Sequence, residues 1–120
     1  MKIGISMEFD AAHHLPMHEG RCSRIHGHTY RVEVVLHGDP GDDGMIIDFY
    51  VLKKIVGRVI GDLDHNDLNS VLQNPTAEMI ASHIHRRLRE ELGVEGVSGK
   101  ASLISVRLWE GRDKWVMVDE

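Results

Sequence analysis

The sequence predicts an α+β fold: a four-stranded antiparallel sheet with two helices on one face, in the order ββααββ. Three observations predict it. Apolar residues alternate with a period of two at both ends of the chain, two stretches of helical period lie between them, and turn-forming residues separate the segments. Ile3, Ile5, Met7 and Phe9 alternate with Lys2, Gly4, Ser6, Glu8 and Asp10, which places a half-buried strand over about residues 2–10. Tyr30, Val32, Val34 and Leu36 repeat the pattern against Arg31, Glu33 and His37, until the turn formers of residues 38–44 end it. Asp48 is a candidate N-cap for a helix whose apolar stripe is Leu52, Ile55, Val56, Val59, Ile60 and Leu63. Gly57 inside that helix marks a close packing contact. Pro75-Thr76 opens a second helix with Ala77, Ile80, Ala81, Ile84, Leu88 and Leu92 on its apolar face, and Gly93 is read as its stop. Ile104, Val106 and Leu108 then alternate with Ser105, Arg107 and Trp109, and a turn near Gly111-Arg112-Asp113 leads to a last strand around Trp115–Val118. Both helices need an apolar surface, so they share one sheet face. Val35, Leu103 and Trp109 are expected on the other, where they point to contacts between subunits.

A length of 120 residues fits one domain, 1–120, and a composition of 42% hydrophobic and 28% charged residues belongs with globular chains, not disordered ones. The formal net charge of −5 argues against a general nucleic-acid binder, which needs clustered cations. The basic run at residues 85–89 is followed at once by Glu90-Glu91 and reads as a solvated helix face. A single cysteine, Cys22, excludes an internal disulfide and favours a reducing compartment. Glu8 falls where a signal peptide would still need apolar residues, and no run of about eighteen apolar residues occurs. The expectation is a cytoplasmic protein without membrane association.

His26-Gly27-His28 is the most informative local feature. In a strand, residues i and i+2 face the same side, so the two imidazoles converge on one point, while Gly27 leaves the opposite face open. The segment Phe9-Asp10-Ala11-Ala12-His13-His14 supplies a third histidine, either His13 or His14. Three neutral imidazoles suit Zn2+ with an open fourth position, the arrangement of catalytic and not structural zinc. His18, His37, His83 and His85 have no such spacing and are read as surface or satisfied core groups. The intervening residues 14–25 form a long polar loop, a frequent place for function.

Six segments together resemble the 6-pyruvoyl-tetrahydropterin synthase and 6-carboxy-tetrahydropterin synthase family. They are Phe9–His13, Cys22–His28, Gly44–Phe49, Leu63–Asn69, Asn74–Glu78 and Trp109-Glu110, in order along nearly the whole chain. The resemblance implies the tunnelling fold (T-fold): trimers whose sheets form a barrel, two trimers stacking into a homohexamer with active sites between subunits. It implies His13, His26 and His28 as the Zn2+ ligands and Cys22 as a base. Asp64 and His65 become a proton-shuttling pair, and Glu110 anchors the pterin with support from Thr76 and Glu78. Arg24 is the cation nearest the site in sequence for a triphosphate, with Arg21, Lys100, Arg112 and Lys114 as alternatives. The residues after Glu110, Gly111 to Trp115, depart from the small or threonine residue commoner in the family.

The implied substrate is the small molecule 7,8-dihydroneopterin triphosphate. The spacing from Cys22 to His26-Gly27-His28 near a Leu-Asp-His motif resembles the bacterial 6-carboxy branch of queuosine biosynthesis. That branch forms 6-carboxytetrahydropterin with release of acetaldehyde and triphosphate. The alternatives are the 6-pyruvoyl enzyme of the tetrahydrobiopterin pathway and a folate-pathway enzyme that cleaves dihydroneopterin, which typically has glutamate in place of the cysteine. Glu19, near Cys22, keeps that last activity in play. A non-catalytic metal- or pterin-binding module is the remaining alternative.

Overall fold

The computed structural model describes residues 1–119. Strand β1 spans Lys2–His13 and β2 spans His26–Gly38. Helices α1 (Phe49–Gly61) and α2 (Ala77–Val94) follow, then β3 (Ala101–Glu110) and β4 (Lys114–Asp119). The four strands form one antiparallel sheet in the order β1-β2-β3-β4. The expected order ββααββ and the placement of both helices on one face therefore hold.

Alternation decides which face is covered. Phe9 on β1, Tyr30, Val32, Val34 and Leu36 on β2, and Val106 and Leu108 on β3 are buried together with Leu52, Ile55, Val56 and Val59 of α1 and Ile80, Ile84 and Leu88 of α2. Where α1 faces β1, a Cβ at Gly57 would meet Met7 Cε at 3.7 Å, an ordinary van der Waals distance, so the close contact expected of that glycine is not there. Both helices start where the sequence places them, Asp48 capping the first as expected and Thr76 capping the second. The Asp48 carboxylate accepts from the Tyr50 amide at 2.7 Å, and the Thr76 hydroxyl accepts from the Met79 amide at 3.2 Å.

Three further details differ from the sequence reading. Pairing continues past the apolar alternation, with Ala11 opposite His28 and His13 opposite His26, so β1 and β2 are longer than expected. Helix α2 runs through Gly93 to Val94. The left-handed residue that ends it is Gly96, at φ 72°, because a glycine inside the last turn costs only about 1 kcal/mol and does not stop a helix by itself. The third is a bulge in β3: Val35 pairs with Ser105 but Leu36 pairs with Leu103, leaving Ile104 as the extra residue. The bulge switches the phase of the alternation, so Leu103 turns into the core and Ile104 does not join it. The expectation that Leu103 lies on the uncovered face is thus wrong. Of the histidines read as surface or core groups, His85 is the one buried, on α2.

Val35 and Trp109 do lie on the uncovered face, among charged groups. Trp109 Nε1 donates to Glu33 Oε1 at 2.9 Å, the Arg31 guanidinium stands 5.0 Å from the centre of the Trp109 ring, and that of Arg107 stands 4.5 Å from the Trp115 ring. No helix among the described residues is long and apolar enough to cross a membrane. Leu108 is fully buried at the middle of the core. Leu108→Ala is expected to lose about 2–5 kcal/mol through lost burial and a residual cavity, read as a lower urea midpoint at unchanged slope.

Candidate active site

Beyond the helices, the covered face of the sheet ends in histidines. Ala11, His13, His26 and His28 continue the inward series of Phe9 and Tyr30, whose rings stack at 4.9 Å and form the floor. Ligand nitrogens of His13, His26 and His28 lie within 4.8 Å of one another. His14 points elsewhere: its amide donates to Asn69 Oδ1 at 2.9 Å, and the Asn69 amide returns to the His14 carbonyl at 3.0 Å. The choice left open between His13 and His14 is thereby resolved in favour of His13 as the member of this cluster.

The tautomers follow from the second nitrogens. His13 Nδ1 lies 2.7 Å from the Pro75 carbonyl and His26 Nδ1 lies 2.7 Å from the Arg24 carbonyl. A carbonyl only accepts, so each Nδ1 carries the hydrogen, and in a neutral ring each Nε2 then presents a lone pair. Those two Nε2 atoms face each other at 3.0 Å. Two lone pairs at that separation repel unless a cation or proton lies between them. A tetrahedral zinc with bonds of the usual length spaces imidazole nitrogens by about 3.3 Å. His28 Nε2 adds to the case. It is buried without a hydrogen bond, with Glu110 Oε1 3.4 Å away. Burial lowers the His28 pKa, the Glu110 carboxylate opposes this, and His13, His26 and Lys114 add to the lowering. The balance favours a neutral, ligand-competent ring. The donor set thus fits a divalent zinc-type ion, and the Cys22 thiol does not join the cluster.

Tyr30, fully buried, brings its hydroxyl to 3.4 Å from His13 Nδ1. Burial, and then the Glu110 charge, push its pKa well above the ordinary phenol value, so it stays protonated.

Asp64 and His65 form a second cluster. Their side chains meet at 2.9 Å between Oδ1 and Nδ1, and His65 adopts a left-handed backbone with φ 55°. The loop that carries them docks on the outer edge of β1. Asp10 N–H donates to Asp64 Oδ1 at 3.0 Å, His65 N–H donates to the Asp10 carbonyl at 2.6 Å, and Ala12 N–H donates to the Asn66 carbonyl at 3.1 Å. Asp10 alternates with Ala11 and pairs with Thr29, so its side chain lies on the uncovered face. The sheet therefore places the Asp64–His65 pair beside a residue of one face and the three histidines on the other. A hollow of about 600 Å³ beside the pair is lined by Asp10, Gly27, His28, Thr29, His65 and Asn66 among others, so it reaches one member of the histidine cluster as well.

The Asp64 carboxyl is held below its ordinary value chiefly by the Asp10 amide; desolvation opposes this, and the His65 ring and amide add to the lowering. A carbon-13 NMR titration of Asp64 is expected to show a midpoint below the ordinary aspartate value. The folded value is the lower one. Its contribution to stability is therefore complete above the unfolded carboxyl range and is lost as pH falls through the folded midpoint. A midpoint at or above the ordinary value would show that the Asp10 amide does not hold the carboxylate.

Glu110, at the end of β3, pairs with Tyr30 and shares the histidine face. Cys22 is a half-buried free thiol on a 3-10 turn, Arg21–Ser23, within the loop that precedes His26. Arg24 is exposed, and its contribution to the cluster is its carbonyl. Thr76 caps α2, while Glu78 is exposed in the first turn of that helix. The sequence reading missed Tyr30, the Pro75 carbonyl and Asp10. Asp10 had a signal, since it interrupts an otherwise small and apolar run before His13. The Pro75 carbonyl had none.

A T-fold sheet ending in an inward histidine cluster beside a carboxylate defines the class of the pterin synthases. The family model described as 6-pyruvoyl tetrahydropterin synthase matches residues 2–120, and the chain belongs to that family. It is similar to the 6-carboxy-5,6,7,8-tetrahydropterin synthase of Synechocystis, at 43% identity over 97 residues and 74% of each chain. It is also similar to the dihydroneopterin monophosphate aldolase of Pyrococcus furiosus, at 41% identity over 105 residues, 88% of this chain and 85% of that one. The structure of Caenorhabditis elegans 6-pyruvoyl tetrahydropterin synthase shares the fold at TM-score 0.85 and 23% identity, covering 100% of this chain and 95% of that one.

Proposed function

We propose that this protein is a zinc-dependent 6-carboxy-5,6,7,8-tetrahydropterin synthase that converts 7,8-dihydroneopterin triphosphate and water to 6-carboxytetrahydropterin, acetaldehyde and triphosphate. The observation that carries the reading is the histidine cluster, with its facing lone pairs and the Glu110 carboxylate 3.4 Å from His28. His13, His26 and His28 would hold the zinc. When bound, the ion supplies Lewis-acid polarisation of the substrate's side-chain oxygens. Glu110 accepts hydrogen bonds from the pterin amino group and the neighbouring ring N–H, which sets the pterin side chain beside the three histidines. Cys22 removes a carbon-bound proton as thiolate. His65 carries a proton at Nε2, because Asp64 holds its Nδ1 and fixes the ring. Thr76, Glu78 and Arg24 surround the substrate in this reading.

The Asp64–His65 pair docks on the outer edge of β1 and does not join the three-histidine cluster, and in this reading a complete site draws the two from different copies. A shared site needs an assembly, which in this reading is the homohexamer built as a dimer of trimers. Strand β1 also remains an edge strand, with the Asp64–Asn69 loop covering only its C-terminal part.

A second reading, a dihydroneopterin-cleaving aldolase, is favoured by the similarity to the Pyrococcus furiosus protein and by Glu19 in the Cys22 loop. Incubating the zinc-loaded protein with 7,8-dihydroneopterin triphosphate and identifying products tests both. Acetaldehyde with a 6-carboxy product is the expected result. A 6-hydroxymethyl product, from this substrate or from dihydroneopterin monophosphate, would replace it with the aldolase reading, and a 6-pyruvoyl product would reject both. Bound zinc without turnover of either would leave a binding module.

A further inference from the structure

We propose that Asp10 and Thr29 form a positioning unit for the His65 imidazole, a role that rests on the reading of His65 as a proton carrier. The need for such a unit comes from the exposure of the pair. The His65 side chain is 80% exposed, so packing does not fix it. Asp64 and His65 are sequence neighbours whose side chains meet while His65 holds a left-handed backbone, which non-glycine residues adopt at a cost. Something outside the pair must hold that conformation.

Asp10 does so from both sides of its peptide. Its amide grips the Asp64 carboxylate at 3.0 Å, and its carbonyl takes the His65 amide at 2.6 Å. The backbone alone would suffice for those two bonds, yet the Asp10 side chain is engaged as well. Its Oδ1 accepts from the Thr29 hydroxyl at 2.5 Å, and a carboxylate oxygen of Asp10 lies within 4.8 Å of both the Asp64 carboxylate and a His65 ring nitrogen. Thr29 sits directly across the ladder from Asp10, and its carbonyl accepts from Gly111 N–H at 3.1 Å. Gly111 follows Glu110 in a left-handed turn at φ 71°. A continuous hydrogen-bonded chain thus runs from His65 through Asp64, Asp10 and Thr29 to the residue after Glu110. The Thr29 hydroxyl is the side-chain donor that ties the Asp10 carboxylate to β2. Losing it frees the Asp10 side chain and loosens the anchorage of the loop at residue 10, and His65 moves with it. Misplacement of a catalytic group by about 1 Å costs on the order of 100-fold in rate.

The test uses the zinc-loaded, assembled protein. Thr29→Val keeps the shape and strand preference but not the donor, Thr29→Ser restores the donor, and Asp10→Ala removes the acceptor while keeping the backbone amide. Two readouts are taken: kcat and KM with 7,8-dihydroneopterin triphosphate, and the ring nitrogen-15 signals of His65. Thr29→Val and Asp10→Ala are expected to lower kcat about 10- to 100-fold with KM and zinc content unchanged and to displace the His65 signals, while Thr29→Ser recovers both. Loss that serine does not recover, or His65 signals unmoved in Thr29→Val and Asp10→Ala, overturns the proposal. If His65→Ala keeps full activity, the proton-carrier reading is what fails, and the His65 signals still decide the positioning role. Should Thr29→Val fail to assemble, Asp10→Ala decides the matter on the same two readouts.

Discussion

His26→Ala is expected to leave the fold intact, to bind no zinc, and to lose activity by a factor on the order of 1000 or more, several kcal/mol of transition-state stabilisation being what a Lewis-acid metal supplies. His26 is the ligand to remove because it is half-buried at the start of β2, where its loss frees only the Arg24 carbonyl to water. His13 would be a poorer choice. It is 1% exposed and bonds to the Pro75 carbonyl, so His13→Ala removes core packing and strands a buried acceptor together with the metal. Thermal melts separate metal loss from misfolding. Wild-type Tm should rise with added zinc, since an ion that binds only the folded state stabilises it by mass action, whereas the Tm of His26→Ala should not respond. Cys22→Ala is the counterpart: zinc retained, turnover lost. Zinc bound at full stoichiometry by His26→Ala would remove the three-histidine reading altogether.

What was legible in the sequence is what local chemistry decides. Asp48 and Thr76 announced the starts of both helices because a cap bonds within its own first turn. His26 and His28 announced a shared face because strand alternation is a property of the segment alone. Leu103 was misplaced because the bulge at Ile104 is a property of how β3 meets β2, and one extra residue inverts every side chain beyond it. The end of α2 was misread for a related reason. Gly93 resembles a stop signal, but the residue in left-handed conformation is Gly96, and only the path into β3 distinguishes them. The same limit applied to the site. Asp64 and His65 were visible as a motif, but their docking on β1 uses backbone groups of Asp10 and Ala12, which carry no sequence signature across 54 residues. Which side of the sheet the pair occupies therefore could not be read from the chain, although that placement determines whether one copy can hold a whole site.

That placement leads to the second large effect. His65→Ala is expected to reduce kcat by about 100- to 10,000-fold, the usual worth of a positioned proton carrier, with zinc content unchanged because the pair lies apart from the histidine cluster. Cys22→Ala should be similarly impaired. If each site takes its histidines and thiol from one copy and its Asp64–His65 pair from another, the two defects reside in different halves of the site. Unfolding the two inactive variants together and refolding them as mixed assemblies then creates some interfaces where an intact cysteine meets an intact His65. Random mixing at equal amounts gives such an interface about one quarter of the time, so activity near a quarter of wild type is the expected ceiling. A site contained within one chain predicts no recovery, since every chain in the mixture carries one of the two lesions. The recovered activity should also follow the product of the two variants' fractions, reaching its maximum at equal proportions. Absence of recovery in assemblies shown to be mixed would place Cys22 and His65 in the same copy's site, and would require the Asp64–His65 loop to leave its Asp10 anchorage during turnover.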